Sequence, residues 1–203
     1  IAPYRRKLWI MLHRLNASLQ QVEEALVDEG KVSEIPAAYL NEEEFLQDLL
    51  LIHHSLREHD DQDAADGNLL DLVMLTRTFG FFLSRLDIRQ ESSVHTDAVA
   101  EILQLTGIGD YHQMDESQRL STLARLIETH DDLPREQLSE STREVLDVFD
   151  VIALLRERVS PNAIGQYVIS MTHQASHIME VAFLGAQCGL AGKREQEWYF
   201  DLE

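Results

Sequence analysis

The chain of 203 residues is long enough for one substantial core or two small ones, and its 44% apolar and 26% charged content is ordinary for a soluble globular protein. A formal charge of −19 argues against nucleic acid or an anionic membrane as partner, since both need clustered Lys and Arg against phosphate charge. A few arginines gathered in one place can still hold a small anion against the net field.

The single cysteine, Cys188, cannot form an intramolecular disulfide and suits a reducing compartment. No basic leader precedes an apolar core and no run approaches the ~18 apolar residues of a membrane span, so the cytosol is the expected location. Both ends look cut. The chain starts at Ile1, enters periodic helical sequence within a few residues and stops on the amphipathic EWYFDLE, which predicts an internal piece of a longer protein.

From Tyr4 to Asp28, Leu8, Met11, Leu12, Leu15, Leu19, Val22 and Leu26 form one apolar helical stripe, with Gly30 placed to end it. Asn41 and Glu44 form a capping pair ahead of a second periodic run through Phe45, Leu49, Ile52 and Leu56. The acidic, turn-rich REHDDQDAADGN, Arg57 to Asn68, predicts a surface connection before the apolar stretch Leu69 to Phe79. Later helices have their own start signals: Thr96 or Ser93 before Asp97 to Thr106, Asp115 with Gln118, and Ser141 with Glu144.

Two segments break the helical rhythm. One is FFLSRLDIRQESSVHTDAV, Phe81 to Val99; the other is GQYVISM, Gly165 to Met171, β-branched and aromatic after a Pro161 to Gly165 turn. The order strand, helices, strand, helix suits a βα unit of a parallel sheet or barrel. In a strand, Leu86 and Ile88 point to one side while Arg85, Asp87, Arg89 and Glu91 point to the other. That polar face has two readings: a half-exposed or edge strand meeting water, or a barrel strand with its charges at the C-terminal mouth, where arginine can fork onto a phosphate or carboxylate.

TFGFFLSRLDIRQESSVHTD, together with YVISM and the VLDVFDVIA helix between them, closely resembles phosphoenolpyruvate carboxylase, and the likeness extends to YLNEEEFLQDLLLIHHSL and the YRRKLW start. The resemblance implies a (β/α)8 barrel embedded in extra helices. The expected fold is therefore mainly α with a few short parallel strands, an internal piece of a helix-rich (β/α)8 barrel enzyme. Residues 1–203 would be the central part of one larger catalytic domain, with 1–60 as accessory helices and 68–203 as barrel strands and helices.

The implied reaction converts phosphoenolpyruvate and bicarbonate to oxaloacetate and phosphate with Mg2+ or Mn2+, by way of carboxyphosphate and the enolate of pyruvate. Arg89 falls on the family's phosphate-binding arginine. Asp87, Gln90 and Glu91, in the same motif, would orient it, and Arg85 joins them at a position where the family also accepts Lys. His95 matches the motif's His and reads equally as a cap or packing residue.

The family's catalytic His belongs to a His-Pro segment upstream, and its metal-binding Glu and Asp, Gly-rich loop and aspartate effector pocket lie beyond residue 203. The resemblance thus implies a piece that binds no metal by itself and is inactive alone, from a parent that is typically a metabolite-controlled tetramer. One departure stands out: after the ISM strand the family has Ser-Asp, whereas THQASHIMEV has His177 at the Asp position.

His173 and His177 stand at i and i+4 and could ligate a metal on a helix face, yet no HExxH pattern accompanies them and a helix-start surface pair is favoured. DQDAADGN lacks the spacing of a calcium loop, with Leu72 where the bidentate Glu should fall. His53 and His54 read as a partly buried and an exposed helix residue. The competing class is an acidic helical scaffold or protein-interaction module without catalysis, which explains the charge and the helices but not the LDIRQES and ISM segments.

Overall fold

The computed structural model describes residues 2–27, 35–129, 133–194 and 197–203, in two compact units, Ile1–Ser84 and Arg85–Glu203. The first unit is helical. Helix α1, Pro3–Val27, opens on a proline, whose missing N–H costs nothing in a first turn. Helix α2, Glu42–Glu58, starts where Asn41 Oδ1 accepts from Glu44 N at 3.1 Å, and three glutamates in its first turn complement the helix dipole. The expected cap is thus present, although Glu44 returns its side chain to Leu40 N rather than to Asn41.

Met11, Tyr39, Phe45, Leu49, Ile52 and Val73 form the core of this unit. Tyr39 is its polar hinge: its amide donates to Ser18 Oγ, its hydroxyl donates to Asp48 Oδ2 at 2.9 Å, and the Arg14 guanidinium lies 3.8 Å over its ring. Of the apolar stripe expected along α1, Met11 is buried, while Leu8, Leu12, Leu19 and Val22 are exposed within the described structure. Gly30, the expected helix stop, lies outside the described residues.

The acidic run was expected to be a connection, and here the structure differs. Its second half is helical, as α3, Gln62–Ala64, and a π-helical turn, Ala65–Leu69, which leads into α4, Leu70–Phe79. Ala65 is fully buried and anchors the turn, and the departure from helical geometry is confined to Gly67.

The second unit is built on a parallel strand pair, β1, Leu86–Glu91, and β2, Ile164–Ser170. Between them run α5, Ser92–Leu105, α6, Glu116–Thr129, and α7, Glu140–Arg158; α8, Ser176–Ala186, follows β2. Ile88, Tyr167 and Ile169 face a core that includes Val99, Ile102, Leu103, Leu123, Leu146, Phe149, Ile152 and Leu184. Helices cover that side of the pair, as the fold reading required.

Three start signals resolve differently. Asp115 and Gln118 form the expected reciprocal pair, each accepting from the other's amide. Helix α5, however, begins at Ser92, directly after β1, and neither Ser93 nor Thr96 caps it: the Thr96 hydroxyl is turned onto Glu180. Helix α7 is capped by Ser139, not Ser141, because Glu101 of α5 accepts from both the Ser139 amide and its hydroxyl at 2.6 Å and also from Thr142. A tertiary partner selects the cap.

EWYFDLE supplies a strand instead of an amphipathic tail. Strands β3, Ala191–Arg194, and β4, Glu197–Phe200, pair antiparallel, so among the described residues the expectation of parallel strands holds for β1 and β2 and not for this second pair. No helix among the described residues is long and apolar enough to cross a membrane.

The β1–β2 register slips between Leu86↔Ile164 and Ile88↔Tyr167, leaving one extra residue on β2. The freed Gln166 amide donates to Asp87 Oδ1 at 3.0 Å, and a Cβ on Gly165 would come within 2.5 Å of that same oxygen. Gly165→Ala is therefore expected to displace Asp87 from the Gln166 amide and to cost about 0.5–1.5 kcal/mol of stability in urea unfolding, the loss of that hydrogen bond.

A second expectation concerns acid. Partial burial of Glu101 opposes its ionisation, but the donors on Ser139 and Thr142 outweigh it and hold the carboxyl below its ordinary value. A depressed folded-state pKa stabilises above the unfolded value of about 4.3 and loses that contribution as pH falls through the folded one. Thermal midpoints from pH 7 to 3 should thus converge between wild type and Glu101→Gln at the acid end, with wild type higher at neutrality.

Candidate functional site

Strand alternation places Asp87, Arg89 and Glu91 on the face of β1 opposite Ile88. Register pairing extends this face across β2, with Val168 opposite Arg89 and Ser170 opposite Glu91. Arg89 is exposed, and among the described residues no carboxylate or carbonyl engages its guanidinium. It is an arginine displayed at the C-terminal end of a parallel pair with its five donors unspent.

The neighbouring motif residues separate. Asp87 shares the face of Arg89 but is bound to the Gln166 amide, so it stabilises the strand pair at the register slip. Glu91 shares the face at the last position of β1 and is exposed. Gln90 falls on the core-facing side, where its Oε1 accepts from the Glu91 amide at 2.9 Å. Arg85 precedes β1, with its Cβ 3.5 Å from the position of a side chain on Gly165. The structure therefore joins Asp87, Arg89 and Glu91 on one face and leaves Gln90 on the other.

The far side of the pair carries a buried polar network. His95 is fully buried, and its Nε2 lies 2.8 Å from the Tyr167 hydroxyl; burial, helped by nearby His177, pushes its pKa down to about 4. Glu180 is also fully buried and accepts from Thr96 Oγ1 at 2.8 Å and the Tyr111 hydroxyl at 2.9 Å. Burial raises its pKa, while those two donors pull the other way. The Arg119 guanidinium lies 4.8 Å over the Tyr111 ring. Within this network the sequence points to His95 and His177, and to Thr96 only as a helix cap. A glutamate inside the apolar run IMEVAFLG was the available signal that Glu180 is buried and paired.

The other histidines take modest places. His173 precedes α8, so it does not share a helix face with His177; instead its amide donates to His177 Nδ1 at 3.4 Å. His53 is largely buried, 3.4 Å from Asp66, and His54 is exposed. The divalent metal implied by the resemblance finds no ready site among the described residues, since no three His, Cys, Asp or Glu side chains converge there.

Residues 2–201 match the family model of phosphoenolpyruvate carboxylase. Among curated relatives of that name, the protein of Rhodothermus marinus is 36% identical over 204 residues, covering 98% of this chain and 20% of its own length. That of Hahella chejuensis is 37% identical over 192 residues, 93% of this chain and 21% of its own, and that of Glycine max 38% over 196 residues, 92% and 19%. The chain spans about a fifth of the length of the curated relatives it matches. A match along nearly all of its residues makes this chain a member of the phosphoenolpyruvate carboxylase family.

Proposed function

We propose that the full-length protein carrying this segment is a cytosolic enzyme that carboxylates phosphoenolpyruvate with bicarbonate, giving oxaloacetate and inorganic phosphate. The segment contributes the phosphate grip centred on Arg89, and β1 and β2 belong to a larger (β/α)8 barrel. The observation that carries the reading is the exposed, unengaged guanidinium of Arg89 at the C-terminal end of a parallel strand that turns at once into α5.

Phosphoryl transfer asks the protein chiefly for position and fixed positive charge on the non-bridging oxygens. The Arg89 fork supplies both, two N–H groups toward one phosphate edge, and its charge does not titrate in any working pH range. Asp87, tied to Gln166, keeps the strand beneath Arg89 in register. Glu91, on the same face, is placed to orient Arg89 once substrate is bound, and Arg85 adds positive charge at the entry to the strand. Gln90 supports from behind by holding the Glu91 amide. The Mg2+ or Mn2+ of the reaction, and its ligands, belong to other parts of the full-length protein, as do the bicarbonate site and any tetrameric contacts.

Arg89→Ala in the full-length protein is expected to raise the KM for phosphoenolpyruvate by about tenfold to a hundredfold, the loss of a charged hydrogen-bonding group, or to abolish turnover. Unchanged steady-state kinetics would sink the assignment. Purified 1–203 alone, assayed by coupling oxaloacetate to malate dehydrogenase, is expected to show no product; measurable oxaloacetate would contradict the claim that this segment is only part of the site.

A further inference from the structure

We propose that His95 is a positioning residue for Arg89: a neutral imidazole that, through Tyr167, fixes the exit of β1 against β2 and so holds the guanidinium where a phosphate can meet it. The inference rests on the phosphate reading of Arg89 given above.

Glu91 ends β1 and Ser92 opens α5, so the last strand residues move with the first helical turn. That turn presents Ser92, His95 and Thr96 on one side, at the i, i+3, i+4 spacing of a helix face. Each is bonded to the second strand–helix unit. Ser92 Oγ donates to the Met171 carbonyl at 2.9 Å, His95 Nε2 meets the Tyr167 hydroxyl at 2.8 Å, and Thr96 Oγ1 donates to Glu180 Oε2 at 2.8 Å.

Only the His95 bond reaches β2 itself. Tyr167 is the register partner of Ile88, and the next pair along is Arg89 with Val168. The Tyr167 ring is held from behind by Phe149, stacked at 5.3 Å between centroids and 16° between planes, so the hydroxyl is a fixed point. His95 touches the core side of the strand pair, opposite Arg89, and therefore acts on substrate only through strand geometry.

The chemistry demands a neutral ring. His95 Nδ1 is buried and without a partner, and an imidazolium would carry a proton on that nitrogen, uncompensated. A buried imidazole bonded once, to a ring that Phe149 holds in place, keeps one length of bond, which is what a spacer requires.

The test uses the full-length enzyme and Tyr167→Phe, which deletes one hydroxyl and keeps the ring stacked on Phe149. The expected result is a threefold to tenfold rise, roughly, in the KM for phosphoenolpyruvate, with kcat changed less than about twofold. His95→Phe should lose more, and His95→Gln, which retains a side-chain hydrogen bond, should recover part of it. If His95→Phe fails to fold, Tyr167→Phe carries the test alone.

The deciding measurement is the double variant with Arg89→Ala. Because His95 works through Arg89, adding Tyr167→Phe to Arg89→Ala should cost no more than Arg89→Ala alone. Where turnover is too low, the same cycle is read in phosphoenolpyruvate dissociation constants. Wild-type KM in a folded Tyr167→Phe enzyme, or losses that multiply in the double variant, overturns the proposal. Unchanged kinetics in Arg89→Ala overturns the phosphate reading itself; weakened binding there with an unaffected Tyr167→Phe overturns the role of His95 alone.

Discussion

Parallel pairing of β1 with β2 is the constraint from which the Arg85–Glu203 unit follows. Parallel strands cannot be closed by a tight turn, so the chain must leave one end of β1 and return to the other end of β2. The residues between, carried by α5, α6 and α7, make that return and cover one side of the pair as they do so. Both strands then finish at the same end. Arg89, Glu91 and Ser170 meet there because of this connectivity, and the apolar Ile88, Tyr167 and Ile169 are assigned to the helices by the same alternation.

The crossover also explains why polar groups are buried behind the strands. Three helices and two strand ends converge on a small volume, and each brings backbone or side-chain groups that water cannot reach. The Tyr167 hydroxyl and one oxygen of Glu180 are satisfied by one turn of α5, which also takes the carbonyl of the more exposed Met171. A buried group left unpaired costs ~1–3 kcal/mol, so these bonds specify where the turn must sit more than they add stability. Glu101 acts likewise at the start of α7, where a carboxylate from α5 determines which serine begins the helix.

Periodicity and motif were legible along the chain wherever local forces decide the outcome. The α1 and α2 repeats, the Asn41 cap, the Asp115–Gln118 pair and the two-faced pattern of β1 are all local properties, and the structure has them. Thr96 and Ser141 misled because a serine or threonine carries the same signal whether its hydroxyl caps its own helix or turns elsewhere, as Thr96 does to Glu180 and Ser141 to Ser139 Oγ. The antiparallel pair of β3 and β4 was hidden since EWYF satisfies helical and extended patterns equally, and its pairing with Ala191–Arg194 is a fact about two segments. At the candidate site, spacing located the polar face but could not show that Asp87 is already committed to Gln166, which depends on a register slip.

The carboxylate of Glu180 has a consequence for how this sequence can drift. Thr96 and Tyr111 each give it one hydrogen bond, and no water reaches it. Replacing either donor by an apolar residue of similar shape leaves an acid half-satisfied in the core, whereas replacing all three together leaves only packing to repair. Single steps are therefore closed and the concerted change is open. The tightest tie is between the turn before α6 and α8: without Glu180 the Thr96 hydroxyl still has the Ser92 carbonyl, whereas the Tyr111 hydroxyl is left without its acceptor, so Tyr111 and Glu180 are the two positions that should vary together.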